Sequence, residues 1–186
     1  MSAEEAKVTG SLFRSYVEAL DVMGMRAAVR AAVSPRVQAL IDQPPLHRDW
    51  LDGSEVREVF KALVDLRGLE GVRRLGSECM RASILQHLRP MLQATLGLHG
   101  RSPAVLFERL DTFAKPFFRG ISFEYVAQGP REGVITLRST YAMGPVQFAA
   151  WEGSLSALYD EVGARGVIEP ATVAQDNLSG TMRVRW

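Results

Sequence analysis

Side chains able to act as nucleophiles, bases or metal ligands are sparse in this chain, which has one cysteine, Cys79, and three histidines, His47, His87 and His99. Covalent catalysis needs a nucleophile, a base within hydrogen-bond reach and a third group that orients the base. His87 follows Cys79 by eight residues, which on one helix separates them by about 12 Å at ~1.5 Å per residue. That spacing forbids a Cys–His dyad within the helix. Cys79, between Glu78 and Met80 in a helical pattern, reads as a buried, inert thiol. His47 lies in the loop after Pro44-Pro45 and His99 precedes Gly100, so a solvated or helix-terminal imidazole is the simpler reading of each. No two histidines have the i, i+4 spacing of a helical metal site, and no HExxH, GxSxG or GxxxxGK(S/T) run occurs. The expectation is no catalytic residue, no metal and no cofactor, hence a protein that is not an enzyme.

Aromatic side chains suggest a different chemistry, the binding of an apolar ligand. Phe107, Phe113, Phe117, Phe118, Phe123 and Tyr125 fall close together in the chain. At helix and strand spacing such residues either pack a core or line a pocket. The pocket reading takes the helix Pro103–Phe113 and the strand Ile121–Tyr125 as walls, with Phe107, Phe113 and Tyr125 binding the ligand. The arginines Arg57, Arg67, Arg73, Arg74, Arg81 and Arg89 are interleaved with Glu55, Glu58, Asp65, Glu70 and Glu78, which cancels the field a polyanion would need.

The elements that must position these residues change character along the chain. Leu12, Tyr16, Val17 and Leu20 recur at helical spacing, so a helix is expected over 11–22, followed by helices over 25–33 and 35–41 separated by Ser34-Pro35. Gln43-Pro44-Pro45 cannot continue a helix, which makes 43–51 a surface connection. Asp52 and Glu55 have capping-box spacing at the start of the next helix. Gly68 breaks that helix, and Gly76 and Pro90 mark a join or kink within 69–98. Ser102-Pro103 starts a further helix. After Pro116 the apolar period becomes two: Ile121, Phe123 and Tyr125 alternate in one strand, a turn occupies 128–133, and 134–141 returns. A helix opens at Gly144-Pro145, with Gly153 admitting a close backbone, and ends at Gly163. Strands are expected over 167–174 and 181–186. The expected fold class is α+β, an N-terminal helical part followed by a four-stranded antiparallel sheet with one packed helix.

Composition supports a single globular domain over 1–186, with 1–7 disordered, 8–115 helical and 116–186 forming the sheet part. The chain is 47% hydrophobic and 23% charged, too apolar to remain unfolded. Its 22 basic and 21 acidic residues leave a formal charge of +1, with no charge run that would attract nucleic acid. No apolar stretch approaches the ~20 residues of a membrane span, and the N-terminus lacks a signal peptide's apolar run. With its lone cysteine, the chain is expected to be cytoplasmic and without a membrane span.

The C-terminal residues Phe148-x-x-Trp151-x-Gly153-x-Leu155, Gly163-Ala164 and Gly180-Thr-Met-Arg-Val-Arg-Trp186 resemble a large paralogous family of myxobacterial proteins of unknown function. More remotely, Thr9-Gly10-Ser11-Leu12-Phe13, Gly53-Ser54-Glu55-Val56-Arg57-Glu58-Val59-Phe60 and Arg74-Leu75-Gly76, in this order, resemble the superfamily of haem nitric-oxide/oxygen-binding domains, 4-vinyl reductase domains and TRAPP subunits. The resemblance covers nearly the whole chain and implies the corresponding α+β fold. Haem-binding members carry a proximal histidine on the helix matching 102–115, where this chain has none. They also hold the haem propionates with a Tyr-x-Ser-x-Arg motif, of which the run Leu137-Arg138-Ser139-Thr140-Tyr141 keeps only Ser139. The resemblance therefore implies a haem-free, non-enzymatic sensory or regulatory domain that takes a small apolar ligand or a protein partner. The alternatives are a pure interaction or dimerisation module with a filled cavity and a haem-based gas sensor. TRAPP-like relatives associate through helices, so a homodimer built on the helices before Gly100 is also implied.

Overall fold

In the computed structural model, which describes residues 7–186, helices dominate to Ala114 and strands thereafter. The N-terminal part holds α1 (Gly10–Val22), α2 (Arg26–Ala32), α3 (Pro35–Asp42) and the long α4 (Gly53–Cys79). A π-helical turn, Met80–Ile84, leads into α5 (Leu85–His99), followed by α6 (Pro103–Phe107) and α7 (Leu110–Ala114). Thr9 Oγ1 accepts the Leu12 N–H at 3.4 Å and so caps α1. Gly68 breaks α4 as expected, with φ 66° and ψ −172°, a conformation glycine adopts without the strain a Cβ would bring.

Three local expectations are corrected. The capping box at α4 does not form: Asp52 makes no side-chain cap bond. Glu55 turns instead into the protein, where it is 5% exposed and accepts from Arg36 Nε at 2.7 Å. Gly76 is no kink but a packing position, described below. Pro90 lies inside α5 without ending it; the irregularity is the π-helical turn Met80–Ile84 that precedes this helix.

The sheet part holds β4 (Ile121–Gly129), β5 (Glu132–Ser139), α8 (Pro145–Ser156), α9 (Leu158–Val162) and β8 (Ser179–Arg185). All pairings are antiparallel, in the order β4-β5-β8. The expected strand over 167–174 is present as two pieces on one edge of β8, β6 (Val167–Ile168) and β7 (Thr172–Val173). Pro170 lies between the pieces, and proline has no N–H for the ladder. The hairpin turn is tighter than expected, since Gly129 already pairs with Glu132. Gly163 closes α9 in the left-handed region, at φ 67°.

A second, small sheet was not anticipated. β1 (Lys7–Thr9) lies between β2 (Trp50–Asp52) and β3 (Phe118–Arg119). Strands this short carry no detectable alternation, and β2 overlaps the end of the stretch read as a surface connection. Lys7, expected to be disordered with the residues before it, pairs with Asp52 and Arg119; residues 1–6 lie outside the described residues.

The two parts meet where α8 crosses α4. A Cβ on Gly153 would fall 1.8 Å from the Arg73 carbonyl oxygen, and one on Gly76 would fall 2.0 Å from that of Ala150. Neither backbone can yield locally, because each belongs to a helix. Gly153→Ala should therefore destabilise the protein by ~3 kcal/mol or more, beyond the ordinary cost of overpacking. Gly97→Ala, where a Cβ meets nothing within 4 Å, should be neutral or stabilise by up to about 1 kcal/mol through helix propensity. Urea denaturation of the two variants against the parent checks both outcomes.

Candidate functional site

The buried side chains form two cores. One lies among α1–α4 and includes Leu12, Phe13, Leu63 and Leu75. The other lies among α5–α9 and the main sheet and includes Leu92, Phe107, Leu137 and Phe148. Met80, in the π-helical turn, and Leu88 pack against both. At the seam two adjoining cavities of about 40 Å³ each remain. On the water scale, on the order of 10–15 Å³ of such space holds one molecule, so each has room for a few atoms and not for a large planar group.

The first cavity is apolar. Leu88 and Leu92 of α5, Phe113 of α7, Phe123 of β4, Trp151 of α8 and Phe118 provide much of its wall. Trp151 is held by two rings, with centroids 4.8 Å from Phe118 and 4.9 Å from Phe123. Tyr16 and Cys79 also reach this wall. Burial pushes both the Cys79 thiol and the Tyr16 hydroxyl far up, because a low-dielectric surrounding disfavours the charged form. Both stay neutral near neutral pH. A thiol so protonated is a poor nucleophile and a poor metal ligand. Tyr16 also packs edge-on against Phe60, centroids 5.2 Å apart.

The second cavity borders the start of α4 and carries polar groups, with Arg57, Tyr141 and Gln147 beside apolar Val56, Phe60 and Ile121. Burial pushes the Tyr141 hydroxyl up to about 12, so it remains an O–H donor at physiological pH. The Tyr141 backbone N–H donates to Ser139 Oγ at 3.1 Å.

The three sequence-predicted ligand residues are not brought together on this seam. Phe113 lines the first cavity, as do the neighbouring aromatics Phe117, Phe118 and Phe123. Phe107, 1% exposed, packs instead against Tyr125, Tyr159 and Trp186 at centroid distances of 5.7, 5.7 and 5.8 Å. Tyr125 therefore belongs to the same stack under the sheet, and its hydroxyl is buried without a hydrogen-bond partner among the described residues. Trp151, Tyr16 and Leu92 were not singled out for the site. Their helical periodicity marks them as buried without saying what they face.

The histidines are elsewhere. His47 and His87 approach each other, ring centroids 6.2 Å apart, and His99 Nε2 lies 3.1 Å from Arg109 Nη2. None lines either cavity. Among the described residues no group of three or more His, Cys, Asp or Glu side chains could hold a metal ion. No helix among them is long and apolar enough to cross a membrane.

No family model and no curated protein matches the chain. Solved structures do. The unliganded Fe(II) H-NOX protein from K. algicida superposes with a TM-score of 0.71 at 8% identity, over 95% of both chains. An oxygen-binding H-NOX domain related to soluble guanylate cyclases superposes with a TM-score of 0.64 at 12% identity, over 95% of this chain and 94% of that one. The chain has the H-NOX fold. Agreement over nearly the full length of both partners, at such low identity, means that the architecture is shared and the side chains are not.

On this H-NOX fold, the stretch that lacks the proximal histidine is divided into α6 and α7. Arg138, in the run matched to the propionate motif, donates to Glu124 at 2.7 Å on the solvated face of the sheet. The wall supplied by α7 is tied to β4 by Asp111, whose Oδ1 accepts the Phe123 N–H at 3.2 Å and whose Oδ2 pairs with Lys115 at 2.8 Å. These bonds, that of Lys115 above all, lower the Asp111 carboxyl below its ordinary 3.8. A lowered carboxyl stabilises the fold above that ordinary value, and the contribution is lost as pH falls through the folded one. Asp111→Ala should cost about 1 kcal/mol at pH 7, reduced by solvent around the pair. The difference from the parent should shrink as the carboxyl is protonated in acid, as read from denaturation curves at pH 7 and at progressively lower pH.

Proposed function

We propose that this protein is a haem-free, non-enzymatic sensory or regulatory domain that admits a small apolar ligand to the seam between its two cores. The observation that carries this reading is the first cavity, with its aromatic and aliphatic wall where helical and sheet parts meet. A ligand held there touches both parts at once. It can therefore bias their relative packing, which is the requirement for turning binding into a signal.

The residues present do not fit a haem. Its iron would need an axial donor, and the candidates on the wall are a thiol and a phenol that burial keeps protonated. About 40 Å³ of free space on either side of Trp151 and Phe118 supports the same conclusion. The absence of a nucleophile–base pair at the seam supports a non-enzymatic role. A cytoplasmic location remains part of the proposal on the sequence grounds given above.

A protein-interaction module is the second reading, favoured by the outer face of α5. Met91 and Leu98 are exposed there, Leu98 to 81%, and the spacing of seven places them on one side of the helix. A homodimer through this face would bury them.

Titration with xenon, followed by its NMR chemical shift, should give one-to-one binding. Leu92→Trp, which fills the first cavity from its wall, should weaken that binding tenfold or more while the fold persists. Haemin added to the parent should develop no sharp Soret band. A Soret band lost in Cys79→Ala, or xenon binding indifferent to Leu92→Trp, would overturn the assignment.

A further inference from the structure

Beside the crossing of α4 and α8 lies a cleft of about 320 Å³, bounded on a third side by Ile168 of β6. On the scale where ~10–15 Å³ holds one water, that is room for a whole small molecule. Its charged lining is balanced, with Arg73, Arg74 and Arg81 against Glu70, Glu78 and Glu152. A simple ion of either sign therefore gains little from the local field.

Most of these charges are already engaged. Arg73 donates to Glu152 at 2.6 Å and to Glu70 at 3.4 Å, and Arg81 donates to Asp160 at 2.9 Å. Arg74 and Glu78 are different. They stand 4.0 Å apart, beyond hydrogen-bond reach, and neither side chain makes a hydrogen bond among the described residues. Ser77 lies on the same face of α4, three residues after Arg74 and next to Glu78. It is only 8% exposed yet lines the cleft, and its hydroxyl has no hydrogen-bond partner among the described residues. The sealed, unpaired side-chain atoms among these residues are Arg14 Nε, Glu55 Oε2 and the Tyr125 hydroxyl. The Ser77 oxygen is not one of them, so this buried side chain opens its hydroxyl into the cleft. Buried polar groups are ordinarily paired, and this one can be paired only by something in that space.

We propose that the cleft is a second ligand site, separate from the seam, and that it takes a small α-amino acid. Arg74 and the Ser77 hydroxyl donate to the carboxylate of this zwitterion, and Glu78 accepts from its ammonium group. Bonds of this charged kind are about twice as strong as neutral ones, which favours a zwitterion over an uncharged polar molecule. The balanced lining suits a ligand that carries both signs and no net charge. Because Gly153 and Ile168 also border the space, an occupant touches α4, α8 and β6 together.

Calorimetric titration with L-alanine, propionate and ethylamine compares the zwitterion with each of its halves. L-Alanine should bind one-to-one and about tenfold or more tightly than either half. Arg74→Ala should reduce L-alanine to the level of ethylamine, and Glu78→Gln should reduce it to that of propionate. Ser77→Ala forfeits no bond within the protein and gains helix propensity, so it should fold at least as well as the parent while binding L-alanine severalfold more weakly. Xenon binding at the seam should be the same in all three variants, which keeps the two sites distinguishable. Absence of L-alanine binding, equal binding of L-alanine and either half, or affinity indifferent to Arg74→Ala and Glu78→Gln would overturn the amino-acid site and leave the seam assignment standing.

Discussion

Two helix backbones touch without side chains between them where α8 crosses α4, and the rest of the molecule is arranged around that contact. Gly153 lies against the Arg73 carbonyl and Gly76 against that of Ala150, each too close for a Cβ. Polar bonds then lock the crossing. Ser154 Oγ donates to the Gly76 carbonyl at 3.1 Å. Glu152, only 6% exposed, accepts from Arg73 Nε at 2.6 Å and from the Ala171 N–H at 2.8 Å. One buried carboxylate thus connects α4, α8 and the segment between β6 and β7. A buried charge is tolerated only when paired and hydrogen-bonded in this way, and removing either partner would leave the other exposed to the full desolvation cost.

The cavity is a consequence of that crossing. Trp151 and Ser154 lie on either side of Gly153, so the contact which brings α8 against α4 also sets both residues at the seam. From there Trp151 meets Phe118 and Phe123, rings contributed by the two sheets. The space is therefore shaped by parts of the chain that are distant in sequence, and its floor belongs to the helical core. The same H-NOX architecture in other proteins coexists with quite different side chains, as 8–12% identity requires. Backbone packing sets the architecture, and a handful of wall residues sets what it can hold.

Much of this was legible in the order of residues. The change of apolar period after Pro116 located the sheet, and Gly68 and Gly163 ended helical segments where expected because their positive φ is a local backbone requirement. Gly153 was correctly read as a close approach. Gly76 was mistaken for a kink, since a glycine in a helix looks alike whether the chain bends or another backbone presses on it. The Asp52 and Glu55 spacing suited a capping box, but Arg36 from another helix competed for the carboxylate and won it. The three-residue strands of the small sheet were invisible because alternation cannot be detected over so short a run.

For this protein, the sequence by itself determined the segment types, the α+β order, the absence of histidine from the stretch matched to the proximal helix and the concentration of aromatics before and within β4. These are properties of neighbouring residues, governed by backbone preference and periodicity. Only the tertiary structure decided that Phe113 faces the seam while Phe107 and Tyr125 stack beneath the sheet, and that Tyr16, Arg57 and Trp151, dispersed along the chain, border one space. Periodicity says that a side chain is buried, but its neighbours depend on how the helices cross. That crossing was settled by two glycines and a carboxylate whose partners are nearly eighty residues away in the chain.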